Sequence, residues 1–157
     1  MSLTFRNVDV DPDASPSTWP YEAIVTVLER GSMKDWARLT GEIGADPWGP
    51  VARQIEEYLR YEQPPGLAPL LQRRIARARE RAEAGERAAV AARVAELVEH
   101  SGLTAAEFSS RIGTSRTRLS TYRNGRVTPS SALLVRMEHL VARCVAQRVA
   151  ESTEGTG

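Results

Sequence analysis

One cysteine, Cys144, and two histidines, His100 and His139, are the only thiol and imidazole groups in the 157-residue chain. A single thiol closes no intrachain disulfide, and these three residues lack the spacing of a zinc site, so no metal is expected. Long apolar runs are missing as well: the longest uncharged stretches fall far short of the roughly 20 residues that cross a bilayer. The N-terminus has no basic segment followed by an apolar stretch, which leaves no secretory signal to read. A soluble protein that stays inside the cell is expected, with no membrane partner. Internal repeats are absent. So is a phosphate-binding loop, because the glycines of GEIGADPWGP (41–50) follow no strand and precede no lysine at the required spacing. Glu56 and Glu57 adjoin on a helix and point in different directions, which makes no catalytic carboxylate pair, and neither histidine has a nucleophile to serve. Neither enzymatic activity nor a cofactor is expected.

What is present is 41% hydrophobic and 26% charged residues, enough for one ordinary core or two small ones joined by a linker. The net charge of +1 conceals an asymmetry. The first 65 residues carry 6 basic and 11 acidic side chains, a net of −5, and the rest carry 15 basic and 9 acidic, a net of +6. A basic half is compatible with polyanion binding, although arginine-rich surfaces are often merely solvated.

Residues 1–18 are rich in Asp, Ser, Pro and Asn with only Phe5, Val8 and Val10 to bury, and are expected to form a flexible arm. Residues 19–65 read as an acidic unit of three short helices. Tyr21, Ile24, Val25 and Leu28 make one apolar stripe ending at Gly31. Ser32 with Asp35 caps a second helix with Met33, Trp36 and Leu39 inward, and Val51, Ile55, Tyr58 and Leu59 line a third that Pro64-Pro65-Gly66 ends. Trp19 and Trp36 read as core, Trp48 between prolines as a contact for a protein partner. From Leu67 the pattern runs through Leu70, Leu71, Ile75, Ala78 and Ala82, then Val90, Val94, Leu97 and Val98. This is one helix or two jointed at Gly85, with 66–87 as a connecting helix; Glu83 and Arg87 are correctly ordered for an i, i+4 pair. Arg73, Arg74, Arg77 and Arg81 fall on one side of it, either solvated and paired with Glu80 and Glu83 or available to phosphate.

After Gly102 the sequence LTAAEFSSRIGTSRTRLSTYRNGRVTPSSALL has the parts of two short helices joined by a turn. Thr104 is an N-cap, Phe108 and Ile112 supply inward bulk, Ser109 is small where helices cross, and Gly113 tolerates a positive φ. Leu119 and Tyr122 form the apolar face of the second helix, which Asn124-Gly125 closes before Thr128-Pro129 opens the next. A final helix from Pro129 to about Ala150 buries Leu133, Met137, Leu140, Val141 and Cys144. Val145 and Val149 either finish that core or belong to a dimer surface.

This pattern resembles the Cro/repressor-type helix-turn-helix of the xenobiotic response element family, over about residues 88–145. The resemblance implies an all-α fold: a small N-terminal helical unit, a long connecting helix, a lambda-repressor-like helix-turn-helix domain over 88–150, and a disordered tail at 151–157. It also implies a transcription regulator, cytoplasmic and nucleoid-associated, that binds double-stranded DNA as a homodimer with the helix 115–124 in the major groove. With Leu119 and Tyr122 inward, a period of 3.6 turns Thr117, Ser120, Thr121 and Asn124 outward, flanked by Arg116 and Arg118. Ser115 and Arg116 match the family's Ser-Arg start of the recognition helix, and Thr117 and Thr121 stand at its base-reading positions. The expected base contacts are Ser115, Arg116, Thr117, Ser120 and Thr121, and the expected phosphate contacts are Thr104, Arg118, Asn124 and Arg126. Three positions depart from the family pattern: Ala105 replaces a phosphate-binding glutamine, Thr114 an apolar residue after the turn, and Arg123 an acidic one. A reading of another class also stands, an adaptor or antitoxin-like protein whose acidic N-terminal unit, with Trp48, holds a basic client.

Overall fold

A computed structural model describes residues 10–155, and among these every regular element is helical. Phe5, Val8 and the rest of the arm before residue 10 lie outside the described residues, as do the last two positions of the tail. After a 3-10 turn at Pro16–Thr18 come α1 (Tyr21–Arg30), α2 (Met33–Ala45), α3 (Pro50–Tyr61), α4 (Leu67–Ser101), α5 (Ala105–Ile112), α6 (Arg116–Arg123) and α7 (Ser131–Glu154). The chain divides into two compact units, one up to Glu83 and the other from Ala84 onward. None of the helices is long and apolar enough to cross a membrane among the described residues.

The first unit packs α1, α2, α3 and the start of α4 around Trp19, Ile24, Val27, Leu39, Ile43, Ile55, Leu71 and Ile75. All four residues expected to line α3 are buried. α1 differs by a small rotation: Ala23, Ile24, Val27 and Leu28 are buried, whereas Tyr21 and Val25 only flank the core. In α2, Leu39 and Ile43 are buried and Trp36 packs partly, but Met33 is 89% exposed. At about 100° per residue Met33 stands roughly 120° round the helix from Leu39, off the inward face. Leu70 is 58% exposed for the same reason, one residue off the line of Leu71, Ile75 and Ala78. The Ser32–Asp35 capping box forms as the sequence predicts: Asp35 N–H donates to Ser32 Oγ, and Ser32 N–H donates to Asp35 Oδ2 at 2.9 Å. Residues 10–18 are tied down by Arg38, whose guanidinium donates to the carbonyls of Pro12 and Ala14 and stacks 4.8 Å from the Trp19 ring centroid.

α4 is a single helix through Gly85. From Glu83 to Ala89 every residue is exposed, and Glu83 and Arg87 do not close the ion pair that their spacing allows. Two long exposed side chains lose as much entropy in one geometry as screened attraction returns.

The second unit is built from the later turns of α4 with α5, α6 and α7 around Val94, Leu97, Phe108, Ile112, Leu119, Tyr122, Met137 and Leu140. Cys144 joins this core as a small apolar residue. α7 begins later than Pro129, because Ser130 Oγ accepts the Leu133 N–H and serves as the cap, and it extends to Glu154. Residues 151–154, expected from the sequence to be tail, are its last turn. Val145 and Val149 are 41% and 61% exposed and take no part in the core. Arg148 reaches back from α7 to donate to the carbonyls of His100 and Ser101, satisfying acceptors that the end of α4 leaves free.

Candidate nucleic-acid interface

The N-terminus of α5 is set by a second capping box: Glu107 N–H donates to Thr104 Oγ1 at 3.2 Å, and Thr104 N–H donates to Glu107 Oε2 at 3.0 Å. Thr104 is exposed, and its oxygen is already an acceptor within the helix. Glu107 escapes the reading of Thr104 as a lone cap, although Thr-x-x-Glu is itself the sequence mark of the reciprocal motif.

The turn between α5 and α6 is made by Gly113 at φ 79° and ψ 34°, in the left-handed region. Gly113 N–H donates to Ser110 O and Thr114 N–H to Ser109 O, a doubled closure that satisfies two carbonyls at the end of α5. Arg136, from α7, adds a third by donating to Ile112 O at 2.9 Å. Ser109, the small residue expected at the crossing, is buried and bonds back to Ala106 O.

α6 starts at Ser115, whose Oγ accepts the Arg118 N–H at 3.1 Å. Leu119 is 1% and Tyr122 5% exposed, so the helix is pinned by these two side chains against α5 and the core. The period of the helix then presents Arg116, Thr117 and Ser120 to solvent. Thr121 is half-buried, and its hydroxyl donates to the Arg118 carbonyl at 2.6 Å. Arg118 is exposed, with its Nε donating to the Tyr122 hydroxyl at 2.9 Å. The helix ends at Asn124, but Gly125 at φ 78° takes the left-handed conformation, and Asn124 Oδ1 accepts the N–H of Arg126. Ser115, Arg116, Thr117, Ser120, Arg118, Asn124 and Arg126 thus share one exposed helix and its two ends, with Thr121 at its border and Thr104 at the start of the neighbouring helix.

Along the segment that carries α6 the charge has one sign. No acidic residue occurs between Glu107 and Glu138, whereas Arg111, Arg116, Arg118, Arg123, Arg126 and Arg136 all do. The replacement of the family's acidic residue by Arg123 adds to that excess. Donors, guanidiniums and the positive end of a helix dipole are what a phosphate backbone and base edges attract. Among the described residues no group of three or more His, Cys, Asp or Glu side chains converges as a metal site.

Compared with known protein families, residues 94–140 match the family described as Helix-turn-helix. The matched segment takes in the last turns of α4, the whole of α5 and α6, and the first turns of α7; it does not reach the first unit. No curated protein and no solved structure matches the chain. The paired short helices, the left-handed glycine between them, the solvent-facing second helix and the family match together make residues 94–140 a helix-turn-helix domain of the Cro/repressor type, a fold of DNA-binding regulators.

Proposed function

We propose that the protein is a sequence-specific transcription regulator that acts as a homodimer in the cytoplasm, on the nucleoid, and inserts α6 into the major groove of each of two half-sites. One observation carries the reading: burial of Leu119 and Tyr122 leaves an outward face of arginine, threonine and serine with no acidic residue near it in sequence. Arg116 is suited to bidentate bonding of guanine O6 and N7, Thr117 and Ser120 to base edges, and Ser115 to the base at the start of the helix. Thr121, with its hydroxyl turned to the Arg118 carbonyl, contributes chiefly its methyl group, which suits a thymine methyl. Thr104, Arg118, Asn124 and Arg126 hold phosphates and set the register.

A single helix of this length reads a short half-site, and two-fold pairing with half-sites about 34 Å apart supplies the missing affinity and specificity. Val145 and Val149 on the outer side of α7 are apolar surface available for that pairing. Selection of bound fragments from random duplex DNA tests the whole proposal. Enrichment of two inverted copies of one short sequence, a helical turn apart, is the expected result. A single unrepeated sequence refutes the dimer, and no enrichment at low salt refutes the regulator in favour of the adaptor.

A further inference from the structure

We infer that Arg73, Arg77 and Arg81, on the part of α4 within the first unit, form a second contact for duplex DNA, one that holds phosphates and reads no bases. The inference rests on the DNA-binding reading above and extends it to a unit that the helix-turn-helix match does not cover. Arg73, Arg77 and Arg81 recur every four residues, so they follow one side of the helix with a drift of about 40° per step. All three are exposed, and among the described residues none makes a hydrogen bond or ion pair.

Acidic neighbours on the helix leave the stripe unneutralised. Glu80 stands three residues from Arg77, a spacing at which Arg60–Glu57 and Arg93–Glu96 do pair, and yet it stays apart. Arg79, on the other side of the same helix, is consumed internally, with Nη1 on Glu56 and Nε donating to the Pro47 carbonyl at 3.0 Å. Arg74 donates to Thr40 O at 3.2 Å. The arginines of this segment are therefore sorted: Arg74 and Arg79 bond to the first unit's own helices and loops, and the side chains of Arg73, Arg77 and Arg81 bond to none of the described residues. Like charges at i, i+4 repel, so the three guanidiniums work against one another along the helix. An array that repels itself and remains unneutralised is complementary to an external polyanion. Its length also fits: eight residues rise about 12 Å, over which one strand of a duplex carries three to four phosphates.

The test is the salt dependence of binding to a long duplex of random sequence, measured on the full chain. The triple variant Arg73→Gln, Arg77→Gln, Arg81→Gln should lower the slope of log K against log salt by about 2 to 3, at roughly 0.9 for each phosphate no longer neutralised. A triple Arg→Lys variant should restore most of the slope, since a point charge suffices for phosphate. Glutamine keeps high helix propensity, and an unchanged circular dichroism spectrum confirms that α4 is intact. An unchanged slope with normal wild-type binding overturns the second contact and leaves the recognition helix standing, and so does failure of the lysine variant to recover. Absence of wild-type duplex binding at low salt overturns both. The double variant Arg116→Ala, Thr121→Ala separates the two surfaces, because it should weaken preference for the selected sequence without changing the drop in slope caused by the stripe substitutions.

Discussion

Replacing Gly85 with alanine should slow hydrogen exchange of the backbone amides across residues 83–89 about fivefold. Every side chain in this stretch is exposed, and none of them closes a hydrogen bond or ion pair, so its helical state is held by backbone hydrogen bonds and intrinsic propensity alone. A glycine inside a helix costs about 1 kcal/mol relative to alanine, because it surrenders more backbone freedom on folding. A methyl group added at Gly85 meets nothing within 4 Å, so no collision subtracts from the gain. About 1 kcal/mol is roughly a fivefold change in a local opening equilibrium. Exchange followed by mass spectrometry on the intact chain should show slowing in peptides spanning Gly85 and no change in peptides from α5 and α6. Equal or faster exchange around residue 85 would show that the stretch opens only with a larger unit, and would refute the claim that propensity governs it.

The same substitution at Gly113 should act in the opposite direction. Its φ of 79° is left-handed, and a methyl group added there would meet nothing nearer than an Arg136 nitrogen at 3.6 Å, so alanine costs about 1–2 kcal/mol of backbone strain and no collision. A domain of this size then melts lower by about 4–8 °C per kcal/mol, and an unshifted midpoint contradicts the turn. Leu119→Ala removes a fully buried leucine and should cost about 2–5 kcal/mol with loss of duplex binding in parallel; a variant as stable as wild type would mean that α6 is not anchored as described. Arg116→Ala should weaken specific binding by about 1–3 kcal/mol and Thr121→Ala, which loses one methyl contact, by about 1 kcal/mol, both at unchanged melting temperature; unchanged affinity in both removes them from the reading surface. Partial burial acts to raise the Asp35 carboxyl, but the Ser32 N–H and hydroxyl, with Arg38 and Lys34, outweigh it and hold the group below its ordinary 3.8. A carboxyl lowered in the folded state contributes stability above its unfolded pKa and loses it as pH falls through the folded value. The melting difference between wild type and Asp35→Asn should therefore shrink below about pH 4, and a constant difference removes the ionised cap.

Short-range chemistry was readable and long-range choice was not. Phe108, Ile112, Leu119 and Tyr122 follow from periodicity within a dozen residues, and Gly113 from the one conformation its turn requires. The caps at Ser32 and Thr104 are written in four consecutive residues. Met33, Val25 and Leu70 misled because each lies one or two positions from the edge of an apolar face, and only packing against other helices decides where that edge falls. Arg136 on Ile112 O and Arg148 on Ser101 O, 24 and 47 residues away, leave no local signal, since any exposed arginine has the reach and the fold selects which carbonyl it meets. The exposed face of α6 followed from its buried face by geometry, but the hydroxyl of Thr121, spent on its own backbone, did not.

Tyr122 couples interior to exterior through its hydroxyl on Arg118. An arginine carries about 2 kcal/mol of rotamer entropy when loose; one already tethered at Nε has surrendered part of that freedom before any anion arrives, and its terminal nitrogens meet the incoming charge at a smaller entropic penalty. The grip of this surface is thus set partly from beneath: loss of a single phenol oxygen, with the ring still seated in the core, would loosen a guanidinium that no substitution had touched.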